Sequence, residues 1–146
     1  MKTGRIILFS LVALFAFGTV RAAETETDSE VEARKIALDL AGAFSNDGFK
    51  LRDGHWSGPI KPGETAVLAV NLYAGNEYWF SVGSDKEGKI VVGVYDEHGK
   101  PMAAEGYDAE DKSAAGFSPT ISGQYFITIA PTESAVSAFC LVYSYK

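Results

Sequence analysis

The chain has 146 residues, 12% of them aromatic, and a formal net charge of −6. This length fits one compact domain, and the excess of acidic residues disfavours binding to nucleic acids and to anionic lipid surfaces. With a single cysteine, Cys140, the chain forms no internal disulfide, so its fold depends on a hydrophobic core. Cys140 lies in an apolar run, which favours a small buried residue over a reactive thiol.

The N-terminus has the pattern of a secretory signal peptide. Lys2 and Arg5 precede an apolar run at residues 6–20, and small residues favour cleavage after Ala22. The run is shorter than the roughly 20 residues of a membrane-spanning helix, although an uncleaved anchor is the alternative. We therefore expect a periplasmic or secreted protein without a membrane span once residues 1–22 are removed. Their removal takes away three basic residues and no acid, and shifts the net charge from −6 to −9.

A short polar leader and one helix are predicted next. Residues 23–28 lack periodicity and predict a flexible leader. Ser29 followed by Glu32 matches a capping box, in which side chains satisfy free N–H groups at a helix start. An apolar stripe of one residue per turn follows, consisting of Ile36, Leu40 and Phe44. Gly48 suits the left-handed conformation that ends many helices, so a helix is predicted over residues 29–45.

The pattern changes at residue 48 from helical to strand-like. Apolar and polar residues then alternate, as in strands with one face in a core, and Gly, Asn and Pro between the runs favour turns. Nine strands are predicted, at residues 49–52, 55–60, 65–72, 77–83, 89–96, 101–105, 114–117, 124–130 and 136–145. Many short strands at this spacing indicate a sandwich or barrel. The predicted division is a helical segment at 29–47 and a β domain at 48–146.

The alternation also predicts which side chains face the core. The inward sets are Leu68, Val70 and Leu72; Tyr78, Phe80 and Val82; Ile90, Val92 and Val94; Tyr125, Ile127 and Ile129; and Phe139, Leu141 and Tyr143. Several outward residues are also apolar, among them Trp79, Val91 and Phe126. Because a contiguous apolar patch needs a cover, we expect the helix stripe to pack on these three residues. The alternative is an aromatic binding platform.

Three stretches resemble the bacterial pre-peptidase C-terminal domain family. Residues 72–80 (LYAGNEYWF) resemble its Gly-containing turn before a Tyr-x-Phe strand, residues 90–99 (IVVGVYDEHG) its apolar strand ending in Tyr-Asp, and residues 117–127 (FSPTISGQYFI) its Gly-x-Tyr strand. The similarity covers about residues 58–145. It implies a jelly-roll-like antiparallel β-sandwich and does not cover the helix. The predicted fold is therefore mainly β, with one N-terminal amphipathic helix before the sandwich. The resemblance also implies an exported protein that acts in binding, secretion or stability without catalysis.

This chain departs from the family pattern in two respects. No peptidase accompanies the domain in this sequence. Gly93 stands in the strand in which the family often has an Asp. The resemblance therefore favours a binding module over a metal site in that strand.

The sequence contains no recognisable catalytic or zinc-binding motif. His55 and His98 lie beside turn glycines and lack ligands at zinc spacing, so both are interpreted as surface residues. Asp96, Asp108 and Asp111 are weak candidates for a calcium site, because loop carboxylates supply the oxygens that Ca²⁺ prefers. The order of an EF-hand is missing, and a solvated acidic loop without a cofactor is favoured.

Five aromatic residues are the candidate ligand-binding residues: Trp56, Tyr73, Trp79, Tyr95 and Tyr107. Such side chains stack on the apolar faces of sugar rings or bind protein partners; alternatively, they pack against the helix or fill the ends of the sandwich. The predicted function is that of an exported non-catalytic binding or structural module with a polysaccharide or protein partner in the envelope or outside the cell. The alternative is a small secreted hydrolase whose site consists of loop carboxylates.

Overall fold

The computed structural model describes residues 25–132 and 135–146, so the predicted signal peptide lies outside the described residues. The described elements are α1 (Asp28–Ser45), β1 (Lys50–Leu51), β2 (Trp56–Pro59), β3 (Ala66–Leu72), β4 (Tyr78–Ser84), β5 (Ile90–Tyr95), β6 (Glu105–Asp108), β7 (Lys112–Phe117), β8 (Gly123–Pro131) and β9 (Ala138–Tyr145). Within them, no helix is both long and apolar enough to cross a membrane.

The strands form two antiparallel sheets, which confirms the mainly β sandwich with one helix. The larger sheet has the order β1-β9-β4-β7-β6, and β2 also pairs with β9; the smaller sheet has the order β3-β8-β5. The jelly-roll connectivity implied by the resemblance stays a prediction. The core between the sheets contains all five predicted inward sets, with Leu68 and Val92 partly buried at its margin. Period-2 alternation therefore assigned the inner faces correctly.

One strand prediction is wrong. The predicted strand at residues 101–105 is a connection between the sheets, and Pro101 makes only an isolated bridge to Tyr95. Proline has no N–H to donate to a strand ladder. After Met102 donates a hydrogen bond to the carbonyl of Val94 over 2.8 Å, the chain leaves the smaller sheet. It next pairs as β6, which begins at Glu105 and is bound to β7.

The helix cap lies two residues earlier than the capping box at Ser29 predicts. Thr27 is the N-cap: its hydroxyl accepts a hydrogen bond from Glu30 N–H over 3.2 Å, and the Glu30 carboxylate accepts one from Thr27 N–H over 3.3 Å. The stretch TDSEVE contains two overlapping Ser/Thr-x-x-Glu patterns, and the first of them forms the box. Glu32 therefore has no capping role.

Part of the predicted flexible leader is attached to the domain. The Glu26 carboxylate pairs with Arg34 on α1 and accepts a hydrogen bond from Ser57 of β2 over 3.0 Å. It also lies 3.3 Å from His55 Nε2. These contacts connect the chain just before α1 to the edge of the larger sheet.

The helix packs on the outer face of the larger sheet, over β4 and β9. Small residues line both sides of this contact; the cluster consists of Ala33, Ala37, Ala41, Cys140 and Val142. The approach is closest at Gly83, where a Cβ atom would lie 2.3 Å from the Ala33 carbonyl oxygen and 2.6 Å from Ala37 N. Glycine is therefore required by the distance between helix and sheet. Leu40 is buried as well, while Ile36 and Phe44 of the predicted stripe are half-buried at its sides.

The helix covers only part of the outward patch that the sequence predicts. Trp79 lies beneath α1 and stacks on Phe44, with ring centroids 4.3 Å apart and an interplanar angle of 8°. Val91 and Phe126 belong to β5 and β8 and lie on the outer face of the other sheet, where Val91 is 46% exposed. Alternation shows which residues share a face of a strand, but it does not show which sheet the strand joins, so the prediction of one contiguous patch is wrong.

Candidate functional site

A cleft lies on the open side of the sandwich, between the edge strands of the two sheets. Its volume is about 590 Å³. On one wall is β3, the edge of the smaller sheet, and on the other are β1 and β2, which share the free edge of β9. The lining consists of Arg52, Trp56, Ala69, Val70, Asn71, Tyr73, Asn76, Tyr78, Tyr143 and Tyr145. Five of these side chains are aromatic, and we call this site the aromatic cleft.

The break between β1 and β2 explains why this side is open. β1 pairs with Ser144 and Tyr145, and β2 pairs with residues 138–141, so the segment between them leaves the sheet near Tyr143. Gly54 makes the bend with a positive φ of 94°, a conformation that favours glycine. Arg52 N–H still donates to the Tyr143 carbonyl over 3.0 Å. Arg52 and Trp56 are thereby fixed on either side of the bend, next to the ring of Tyr143.

Stacked rings form the floor of the aromatic cleft. Trp56 lies nearly parallel to Tyr143, with centroids 5.8 Å apart and an interplanar angle of 12°. Tyr78 meets Tyr143 edge-on at 6.2 Å. Trp56 is half-buried, whereas Tyr73 is 62% exposed and Tyr145 is 38% exposed. The cleft therefore combines a rigid buried aromatic floor with two accessible tyrosines.

Hydrogen bonds fix the turn that carries Tyr73. The Tyr78 hydroxyl accepts a hydrogen bond from Tyr73 N–H over 3.0 Å and another from Asn76 Nδ2 over 3.1 Å. Gly75 completes the turn with a positive φ of 92°. The exposed ring of Tyr73 is thus attached to a backbone that is bound to the floor.

The electrostatics of the aromatic cleft are set by one cation. The Arg52 guanidinium carbon lies 5.1 Å from the Tyr143 ring centroid and 5.8 Å from that of Trp56. Burial raises the pKa of the Tyr143 hydroxyl, and the charge of Arg52 only partly opposes this. Tyr143 is therefore neutral at physiological pH and retains its proton as a hydrogen-bond donor.

The lining determines what the aromatic cleft can do chemically. It offers ring faces, hydroxyls, the amides of Asn71 and Asn76, and one guanidinium. Among these lining residues there is no carboxylate, imidazole or thiol to act as general acid, general base or nucleophile. These groups can stack on apolar ring faces and form hydrogen bonds.

The structure brings together two of the five predicted ligand-binding residues. Trp56 and Tyr73 line the aromatic cleft. Trp79 lies under α1, which corresponds to the alternative of aromatics packed against the helix. Tyr95 pairs with Phe126 on the outer face of the smaller sheet, and Tyr107 is opposite Ala114 on β6 with 43% of its surface exposed.

Sequence reasoning missed most of the remaining lining. Tyr78 lies on the same strand face as Phe80, and Tyr143 on the same face as Leu141, so the alternation assigns both tyrosines to the core alone. A usable signal was that both inward residues are tyrosines near strand ends, where a hydroxyl can reach solvent. Arg52 gave no signal, because its position depends on the pairing of the chain after β1 with Tyr143 of β9.

The predicted loop carboxylates are not gathered into one site. Asp96 accepts hydrogen bonds from Lys100 N–H over 2.8 Å and His98 N–H over 2.9 Å, and these bonds hold its pKa below the usual value. Asp108 is at the end of β6, and Asp111 pairs with Lys112 over 3.5 Å. In residues 25–132 and 135–146, no three His, Cys, Asp or Glu side chains form a group suited to a metal. The expectation of no cofactor, with calcium as the weakly supported alternative, stays a prediction.

Cys140 is fully buried between β9 and α1. Burial raises the pKa of its thiol to about 12, and the nearby charge of Glu26 adds to this while that of Arg34 opposes it. Its position agrees with the expectation of a small buried residue.

No protein-family model matches the chain, and no curated protein is similar to it in sequence. The resemblance to pre-peptidase C-terminal domains therefore remains a prediction based on three short stretches. The fold and the cleft define the chain as a β-sandwich with a helix on one outer face and an aromatic cleft between its sheets.

Proposed function

We propose that this protein is an exported, non-catalytic binding module that recognises a polysaccharide of the cell envelope or its surroundings. The observation that carries the proposal is the aromatic cleft, in which Trp56, Tyr73 and the floor tyrosines face a space of about 590 Å³. Ligand-binding clefts typically measure about 300–1,000 Å³ and are lined by aromatic residues with a few polar groups.

The composition of the cleft suits sugars in particular. A pyranose ring presents C–H groups on its faces and hydroxyls around its edge. The faces stack on rings such as Trp56 and Tyr73, and the hydroxyls bind to amides and phenols such as those of Asn71, Asn76 and Tyr145. An open cleft at the side of a sandwich also admits a long chain that extends beyond the protein.

Export is supported by the basic, apolar and small-residue pattern of residues 1–22. The resemblance to domains that accompany secreted proteases supports the same compartment. The described lining has no carboxylate, imidazole or thiol, which supports binding without catalysis, and no specific observation favours the hydrolase alternative with Asp96, Asp108 and Asp111.

Glycan-array binding of the mature protein and of matched tyrosine variants tests the proposal. Tyr73→Ala removes an exposed ring from the cleft, and Tyr107→Ala removes an exposed ring from β6 outside it. We expect Tyr73→Ala to weaken binding about tenfold, which corresponds to about 1.4 kcal/mol, and Tyr107→Ala to bind like the wild type.

Three outcomes would each contradict a different part of the proposal. Full affinity in Tyr73→Ala would move the site away from the aromatic cleft. If the protein bound no glycan but bound a protein partner, the ligand would be a protein and not a polysaccharide. Turnover of a bound glycan that disappears in Asp108→Asn would establish the hydrolase instead.

A further inference from the structure

Among the described residues that line the aromatic cleft, Arg52 alone has a charged side chain. It is exposed, and its guanidinium lies against the rings of Tyr143 and Trp56. Aromatic faces hold a guanidinium in place through the attraction between the cation and the ring. The rings thereby position the charge inside the cleft without neutralising it.

Within the described part of the chain, Arg52 has no carboxylate partner and its side chain donates no hydrogen bond. The other described arginine, Arg34, pairs with Glu26. A guanidinium carries five N–H donors in a planar fork that matches both oxygens of a carboxylate. Arg52 thus presents a free, oriented recognition group in a protein that is acidic as a whole.

We propose that the aromatic cleft selects a glycan that bears a carboxylate, with a uronic acid residue bound through its carboxylate to Arg52. This inference rests on the proposed function, since it specifies the sugar that the cleft recognises. The neutral part of the glycan stacks on Trp56 and Tyr73, and Arg52 distinguishes a uronate from the corresponding neutral hexose. Such a pair differs only in whether a carboxylate or a hydroxymethyl group is present.

The charge of the whole protein restricts the ligand further. At a net charge of −6, and of −9 without residues 1–22, the chain repels a densely charged polyanion. Screening confines the attraction of Arg52 to about 8 Å at physiological ionic strength. The best ligand therefore carries isolated uronates on an otherwise neutral chain.

Calorimetric titration of the mature protein with two forms of one glycan tests this inference. The first form is a glucuronoxylan oligosaccharide, a xylose chain with a single glucuronate branch; the second is its carboxyl-reduced form. We expect the wild type to bind the acidic form about tenfold or more tightly, as a charge-assisted bidentate contact implies.

Three variants test whether Arg52 causes the preference for the acidic form. Arg52→Gln is expected to bind both forms equally, and Arg52→Lys to retain part of the preference, because an ammonium keeps the charge but loses the fork. Lys50→Gln removes the same charge from β1, outside the lining, and is expected to keep the full preference. Thermal unfolding of each variant separates a loss of binding from a loss of fold.

Equal affinity of the wild type for the two forms would overturn the inference, and it would leave the proposed function standing. The same two conclusions would follow if the protein bound a neutral glycan through Tyr73 and did not bind the glucuronoxylan. Failure to bind any glycan would overturn both. If Arg52→Gln does not fold, the affinities of the wild type for the acidic and the carboxyl-reduced glycan still test the inference.

Discussion

Replacing Gly83 by alanine is the sharpest test of how the helix is attached to the sheet. The added Cβ would lie 2.3 Å from the Ala33 carbonyl oxygen, 2.6 Å from Ala37 N and 2.9 Å from Ile36 Cβ. Two of these atoms belong to the backbone of α1, and they cannot turn away as a flexible side chain would. The helix as a whole must therefore move away from β4.

The size of the effect follows from this geometry. Relief of the overlap requires a retreat of about 1 Å, and a gap of that size forfeits roughly a quarter to a half of the dispersion attraction across the contact. Overpacking of this kind costs about 1–3 kcal/mol, a large share of a total stability of about 5–15 kcal/mol. We expect Gly83→Ala to lose about 2–3 kcal/mol and the melting temperature to fall by roughly 10 °C.

The assay is urea unfolding followed by tryptophan fluorescence, with Gly58→Ala as the control. Gly58 is in β2 of the same sheet, and its added Cβ would meet only Phe139 Cε1 at 3.7 Å, an ordinary contact. The control should change the free energy of unfolding by less than about 0.5 kcal/mol. If Gly83→Ala were as stable as Gly58→Ala, the close docking of α1 on β4 would be refuted.

Three further predictions concern other parts of the chain. Cys140 should react with a thiol reagent only at the rate of unfolding, because it is buried and its pKa is about 12; rapid labelling of the native protein would contradict this. Burial raises the pKa of Asp85, but hydrogen bonds from Ser137 and Ala138 outweigh burial and hold that pKa below 3.8. The stabilisation is therefore complete above about pH 4 and is lost as the pH falls through the lower pKa of the folded state. Asp85→Asn should melt below the wild type at pH 7 and approach it in acid, and a gap independent of pH would refute this role. Mass spectrometry of the protein exported by its host should find Ala23 at the N-terminus, and an intact N-terminus would contradict cleavage after Ala22.

Local patterns predicted most of the strands and their inner faces. Phe80, Ile127 and Leu141 each have large apolar residues two positions before and two positions after them, and one buried face is what such a period requires. The helix could be predicted in the same way, because its apolar residues recur with a helical period. Its exact cap was ambiguous because Thr27 and Ser29 both start a Ser/Thr-x-x-Glu pattern.

The arrangement of strands in sheets depends on contacts distant in sequence. Trp79, Val91 and Phe126 look alike in alternation, yet β4 joins one sheet while β5 and β8 join the other. The predicted strand that starts at Pro101 failed because proline cannot donate to a strand ladder and because the chain crosses there to the other sheet, where it pairs with β7 from Glu105. Pattern reasoning therefore determined faces but could not determine which outer face the helix covers.

Only part of the candidate site could be predicted from the sequence. Trp56 and Tyr73 were identifiable as aromatic residues next to turns, where a ring is accessible from solvent. The floor residues Tyr78 and Tyr143 share the period of the core, and their hydroxyls near strand ends are the one local sign that separates them from it. The cleft itself arises where β1 and β2 leave a gap along β9, and Arg52 lies at that gap because its N–H is bound to the Tyr143 carbonyl.

The most direct test of the cleft follows the two tryptophan indole N–H signals by NMR during titration with the glucuronoxylan oligosaccharide. The chain has two tryptophans; Trp56 is on the floor of the aromatic cleft, and Trp79 is beneath α1 against Phe44. We expect a saturable shift of the Trp56 signal while the Trp79 signal stays in place. A saturable shift of Trp79 alone, or two unmoved signals at a glycan concentration that saturates binding by calorimetry, would contradict binding in the aromatic cleft.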